Sequence, residues 1–164
     1  MAETKYIIFA LGDQKYSMKL SSIKGIEQVY NVVPVPVGAE FIKGIIHLRD
    51  SIIPIFDLKE KFEIYDEAEG AEKQLLVTES HGMLIGFEVD NVLGIMSVQD
   101  EDIKDVPTVV KSEETGYLED VLRIRMTNSD KIEIVLSISV DSIMSDSEYE
   151  TISNVIEETK AAEE

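Results

Sequence analysis

The apolar pattern of this chain is written twice. Tyr6 matches Leu75 at an offset of 69 residues, and the same offset matches Leu20 with Val89, Ile23 with Val92, Gly25 with Gly94 and Ile26 with Ile95. At an offset of 76, Phe41 matches Tyr117, Ile45 matches Val121 and Leu48 matches Ile124; the last apolar runs then end at Leu58 and Ile138, 80 residues apart. A repeat of about 70 residues, built from short strands and turn signals, predicts an all-β unit present in two copies. Two small barrels would then share one core, and neither half would fold well alone. The 164 residues and their 44% apolar content suit one globular unit of this kind.

Local signals fill in the first copy. Tyr6 to Leu11 is a β-branched and aromatic run that stops at Gly12-Asp13, and Tyr16 to Leu20 alternates apolar with polar, so two strands and a tight turn are expected. Ser21-Ser22 offers a cap for one helical turn before Ile23, Ile26 and Val29 resume the apolar pattern. Val32 to Val37 carries Pro34 and Pro36, which lack the N–H of a central ladder, so it reads as an extended crossing or an edge. Lys59 to Phe62 can turn helically, and Tyr65 to Lys73 is a charged surface loop joining the halves. The second copy opens with Gln74 to Thr78, a turn at His81-Gly82 and a strand from Met83 to Val89. Near the C-terminus, Ser147 and Glu150 fit a capping box, with Tyr149, Ile152, Val155 and Ile156 on one helical face. A C-terminal helix is expected there, with a fraying acidic tail.

The stretch Phe41 to Leu58 carries two apolar runs around a polar Arg49-Asp50-Ser51 turn, which is a hairpin with one arginine at its tip. Arg49 either snorkels to solvent or pairs with a carboxylate; its rigid five-donor fork also suits an interface that needs orientation. The copied hairpin has a longer tip, Thr127 to Asp130, and no Leu-Arg turn in a matching context. What the hairpins share is architecture, and what the first alone has is the candidate for function.

Charge and motif content narrow the function classes. Net charge is −18, from 33 acidic and 15 basic residues, and that field repels phosphate backbones and anionic lipid heads. No nucleic-acid partner is expected, nor any membrane insertion, because no apolar run approaches the ~20 residues of a bilayer span. The N-terminal residues do not read as a secretory signal and cysteine is absent, so a cytoplasmic protein is expected. No phosphate cradle, Gly-x-Ser-x-Gly elbow or helical His-x-x-x-His pair occurs, which leaves no catalytic group and no cofactor to name. His47 and His81 read as surface or strand-edge residues. Asp100 to Asp105 places acids at alternate positions, but Lys104 and Asp105 break the calcium-loop pattern, so it reads as a solvated loop.

Taken in order, Tyr6 to Leu20, Ile23-Lys24-Gly25-Ile26, Pro34-Val35-Pro36, Phe41 to Arg49, Ile53 to Leu58 and Gly86 to Ile95 resemble the bacterial chemotaxis coupling proteins of the CheW family. The resemblance runs on through Asp102-Ile103 and Ser142-Ile143-Met144 and spans nearly the whole chain apart from the acidic tail. It implies a mainly β fold of two intertwined SH3-like five-stranded barrels sharing a core, with short helices and a C-terminal helix. The expected domain is 1–152, with 153–164 as tail. The implied role is that of a non-enzymatic adaptor bridging the cytoplasmic tips of methyl-accepting chemoreceptors to the regulatory domain of the histidine kinase CheA. Receptor contacts would fall on Ile23, Ile26, Glu27, Val29, Gly44, Leu48 and Arg49, while the kinase-binding residues are unassigned. Two departures from the family pattern stand out. His47-Leu48-Arg49-Asp50 replaces the usual Asn-Leu-Arg-Gly, and Ile23-Lys24-Gly25-Ile26 lacks the glutamate that often pairs with the arginine, leaving Glu27 or Asp50 as substitutes. The departures leave open a CheW-like paralogue in a CheV-type or non-flagellar pathway. From another class, a double-barrel protein binding a small ligand in its groove is the alternative.

Overall fold

A computed structural model of the chain describes residues 2–28, 30–34, 42–64, 73–109, 116–125 and 130–144, together with residues 150, 153, 154, 156 and 157. Eleven strands form among them. The first copy supplies β1 (Glu3–Leu11), β2 (Gln14–Lys19), β3 (Ile23–Glu27), β4 (Ile42–Leu48) and β5 (Ser51–Asp57), followed by the short helix α1 (Leu58–Lys61). The second supplies β6 (Gln74–Ser80), β7 (Met83–Val89), β8 (Asn91–Gln99), β9 (Ile103–Lys104), β10 (Leu118–Arg125) and β11 (Ile132–Ile138).

The copies do not fold separately; they exchange strands. One sheet has the order β3-β6-β7-β5-β4 and the other β8-β1-β2-β11-β10-β9. Because β3 corresponds to β8, β6 to β1, β7 to β2, β5 to β11 and β4 to β10, the second order repeats the first strand for strand. In each, a hairpin of one copy sits among strands of the other: β6–β7 among three, and β1–β2 among four because β9 is added at the edge. Even the hand of pairing is reproduced, since β5 joins β7 in parallel and β11 joins β2 in parallel. These are the two intertwined SH3-like barrels, here termed barrel 1 (β3, β6, β7, β5, β4) and barrel 2 (β8, β1, β2, β11, β10, β9).

Alternation along the strands sorts side chains into three cores. Ile46, Ile53, Ile55, Leu75 and Val77 fill barrel 1, and Tyr6, Ile8, Val98, Leu122, Ile124 and Val135 fill barrel 2. The intervening residues, among them Phe9, Met18, Phe56, Leu76, Phe87 and Ile138, form the shared core between the barrels. An aromatic chain crosses it: Tyr16 meets Phe62 at 5.4 Å and Phe62 stacks on Tyr117 at 4.9 Å, contacts worth about 1 kcal/mol each beyond their buried area. Gly86 faces into barrel 1, where a Cβ would lie 2.7 Å from the Ile55 side chain and 2.9 Å from that of Leu75. Its bare backbone is what lets those two side chains meet.

Several local expectations need correction. The turn near Ser21-Ser22 is a 3-10 turn over Leu20–Ser22 with no side-chain cap. Asp100 to Asp105 is not simply a loop: Asp100–Asp102 makes a 3-10 turn and Ile103-Lys104 pairs with β10, giving barrel 2 a sixth strand. By contrast α1 does form where expected, with the Asp57 side chain accepting from the backbone N–H groups of Lys59 and Glu60 at 3.0 and 3.3 Å. Val33 makes a single antiparallel bridge to Ile45, which is the edge crossing that the prolines imply. Residues 150, 153, 154, 156 and 157 are helical and Ile156 packs on the shared core; Ser147, Tyr149, Ile152 and Val155 lie outside the described residues, as do the second hairpin's tip at 126–129 and Tyr65.

Candidate functional site

The first hairpin is pinned from both sides. Leu48 pairs with Ser51, so the turn is only Arg49-Asp50, and the left-handed backbone such a turn demands falls on Arg49, at φ 55°. A left-handed non-glycine residue costs roughly 1 kcal/mol, whereas the β6–β7 turn places its positive φ values on His81 and Gly82. Asp50 is spared, so loss of the family's glycine leaves a workable turn whose strain sits on the arginine. Further along β4, the Val33 bridge approaches so closely that a Cβ on Gly44 would stand 2.3 Å from the Val33 carbonyl oxygen. Gly44 therefore acts by letting the crossing segment dock; it presents no surface of its own.

At the mouth of barrel 1, Lys24, Gly25, Glu27, Leu48, Arg49, Ser51, Ile53, Val77 and Leu84 surround a cavity of about 160 Å³. Its floor is apolar, from Ile53, Val77 and Leu84, and its rim carries two cations and one carboxylate. Arg49 is exposed and forms no ion pair or hydrogen bond among the described residues, with Glu27 or with Asp50. The guanidinium therefore stands ready with all its donors, neither buried nor clamped.

The expected contact residues divide between two faces of β3. Glu27 is opposite Leu75, on the barrel-interior side with the cavity, whereas Ile26 is opposite Leu76, on the shared-core side. Ile23 is half-buried and packs on that shared core; Ile26 remains 39% exposed on the strand edge. Val29 lies outside the described residues. Thus Glu27, Leu48 and Arg49 converge on the cavity, while Ile23, Ile26 and Gly44 do not line it.

The opposite end of barrel 1 holds a group that sequence reasoning overlooked. Glu88 on β7 is 4% exposed and accepts hydrogen bonds from Lys43 Nζ at 2.7 Å and the Tyr30 hydroxyl at 2.7 Å, with Lys73 Nζ 3.3 Å away. Burial alone would raise its carboxyl, but hydrogen bonds from Lys43 and Tyr30 and the charges of both lysines outweigh that and hold it below its ordinary value. Burial, then the carboxylate it touches, pushes the Tyr30 hydroxyl well up. Alternation could have placed Glu88 inward, since it lies between Phe87 and Val89 in a strand buried on both faces.

Among the described residues no group of three or more His, Asp or Glu side chains is placed to hold a metal, and no helix is long and apolar enough to cross a membrane. The family model for the CheW-like domain matches residues 5–148. The chain belongs to the CheW-like family. It is 31% identical over 117 residues to the chemotaxis protein CheW of Klebsiella aerogenes, covering 70% of this chain and 69% of that protein. To the probable chemotaxis protein CheW of Rhizobium etli it is 26% identical over 148 residues, or 90% of this chain and 92% of the relative. The crystal structure of the scaffolding protein TtCheW from Thermoanaerobacter tengcongensis superposes with a TM-score of 0.75 at 23% identity, covering 87% of this chain and 92% of that one. Family membership places the chain among the non-catalytic adaptors of chemotaxis.

Proposed function

We propose that this chain is a cytoplasmic scaffold that couples the tips of chemoreceptors to the histidine kinase CheA, with residues 1–152 as the coupling unit and 153–164 as its acidic tail. The single observation that carries the receptor site is the conformationally strained Arg49, without an ion pair among the described residues, beside an apolar-floored cavity. Strain kept at an exposed residue with no partner among the described residues is more readily explained by a binding role than by stability. Leu48 and Glu27 would frame the receptor contact, and Ile26, with Ile23 and Val29, would extend it along the β3 edge. Gly44 would serve indirectly by seating the crossing segment. No residue assignment for the kinase follows from the family resemblance.

The reading is tested by mixing the purified protein with receptor-containing membranes and kinase. Co-sedimentation with both, and a rise in receptor-coupled kinase activity, are expected; absence of both would overturn it. A small ligand at this cavity is disfavoured by size, because its volume of about 160 Å³ falls short of the roughly 300–1,000 Å³ that usual ligand pockets provide.

A further inference from the structure

The outer face of the β10–β11 hairpin carries charge of the wrong sign for this molecule. Cross-strand register places Arg123 opposite Ile134 and Arg125 opposite Ile132, so each arginine shares one side of the ribbon with an isoleucine. Both arginines are exposed, Ile134 is 60% exposed and Ile132 48%. Between them Ile124 and Val135 turn inward to the barrel 2 core, and Glu133, the only acid in β11, turns with them and is held by Lys15 at 2.7 Å. The next rung toward the barrel, Val121 opposite Leu136, has Lys104 of β9 beside Val121 on the same face. The three alternate rungs that form this face therefore contain no carboxylate. Arg123 and Arg125, two of the chain's three arginines, and Lys104 make no ion pair among the described residues, as is also true of Arg49, in a protein of net charge −18.

Among the described residues the ribbon is also open at its edges. β9 pairs with β10 only at Val121 and Leu122, and β2 pairs with β11 only at Leu136 and Ser137. The rungs carrying the arginines extend past both neighbours.

We infer that this face docks an acidic, apolar segment of another protein, one that alternates carboxylates with large aliphatic side chains. Charge complementarity selects the acid, because unpaired guanidinium groups favour carboxylates in bidentate geometry. The isoleucines select the apolar component, since covering them removes aliphatic surface from water. A nucleic acid would answer the arginines but leave the isoleucines bare, and the long-range field of this molecule repels both nucleic acids and anionic membranes. The assignment rests on this ribbon alone and holds whatever occupies the cavity at Arg49.

The test places a photo-crosslinking amino acid at Ile134 in the full-length protein in its own cells and maps the crosslinked residue by mass spectrometry. The expected product is a segment of a different protein with several Asp or Glu residues among aliphatic ones. Its yield should fall at least about tenfold in the Arg123→Glu/Arg125→Glu variant and survive in Arg123→Lys/Arg125→Lys, with thermal unfolding unchanged in both. Crosslinks to a second copy of this chain, to nucleic acid or lipid, or to a segment without acids would overturn the inference. So would no crosslink at all, or a yield indifferent to the charge reversal.

Discussion

Barrel 1 and barrel 2 share their strand order and their parallel joint, yet they treat the same positions in opposite ways. Glu88 on β7 and Lys43 on β4 form a 2.7 Å ion pair; the residues at the corresponding offsets, Lys19 on β2 and Glu119 on β10, form a 2.9 Å pair with the charges reversed. In barrel 1 the carboxylate is 4% exposed and has two lysines and a tyrosine hydroxyl, whereas the barrel 2 partners are 36% and 33% exposed. The duplicated architecture thus fixes where a bridge forms, and the local sequence decides whether it is buried. The proposed sites divide along the same line, since barrel 1 has the strained two-residue tip and the cavity, and barrel 2 has the exposed Arg-Ile ribbon.

The largest expected break in this comparison is Gly44→Ala. Its methyl would collide with the Val33 carbonyl, and unseating the crossing segment should cost about 3 kcal/mol, read as a drop in the urea midpoint. Gly94→Ala in β8, at φ 146° but with open space around it, should cost only about 1 kcal/mol. Equal losses would mean that backbone conformation, not the collision, sets the first value.

Next is the bridge pair. Glu88→Gln leaves Lys43 and Lys73 without their counter-charge beside a buried amide and should cost about 2 kcal/mol, reduced from the fully buried case because both lysines reach solvent. Lys19→Gln in barrel 2 should cost under about 1 kcal/mol.

Acid titration sharpens the contrast through opposite signs. Glu88 is held below its ordinary value, so its contribution is fully present above the ordinary carboxylate range and is lost as pH falls through the lowered folded value. Asp120, which accepts from the Tyr6 hydroxyl, is raised by burial and by the charge of Glu119, against the pull of Lys19. The folded state therefore takes up Asp120's proton first, and this group gains stability as pH falls from neutral through its raised value. Unfolding measured against pH should lose part of its acid slope in Glu88→Gln, whereas Asp120→Asn should be steeper in acid and more stable at neutral pH. The same change in both variants would contradict the assignment.

Much of this was legible in the chain. The offsets of 69 and 76 disclose the duplication, and the turn at His81-Gly82 and the end of β4 at Leu48 follow from local chemistry, whereas Ser51, expected in the turn, opens β5 opposite Leu48. The exchange of strands between copies was implied by the family resemblance but not readable from the apolar pattern, because β3 satisfies β6 with the same alternation that would satisfy a strand of its own half. Glu88 escaped notice because its partners are 45 and 58 residues away in sequence, at Lys43 and Tyr30. That Ile23 and Ile26, three residues apart, share the shared-core side depends on a register shift between Ile23 and Gly25, which no apolar pattern encodes. The second hairpin also proved closer to the first than its longer tip implies: Ile124-Arg125 occupies the positions of Leu48-Arg49, although Arg125 is still paired within the strand, opposite Ile132.

That near-equivalence supplies the most direct test of the central claim, that the barrels share architecture while receptor coupling belongs to the tip of barrel 1. Binding of the receptor's cytoplasmic tip should be measured for Arg49→Ala and Arg125→Ala beside the parent protein, with thermal unfolding recorded for each. Arg49→Ala is expected to weaken receptor binding by about tenfold or more while changing stability by less than about 0.5 kcal/mol, and Arg125→Ala to leave receptor binding as it was. Equal losses in the two variants, or unchanged binding in Arg49→Ala, would contradict the account.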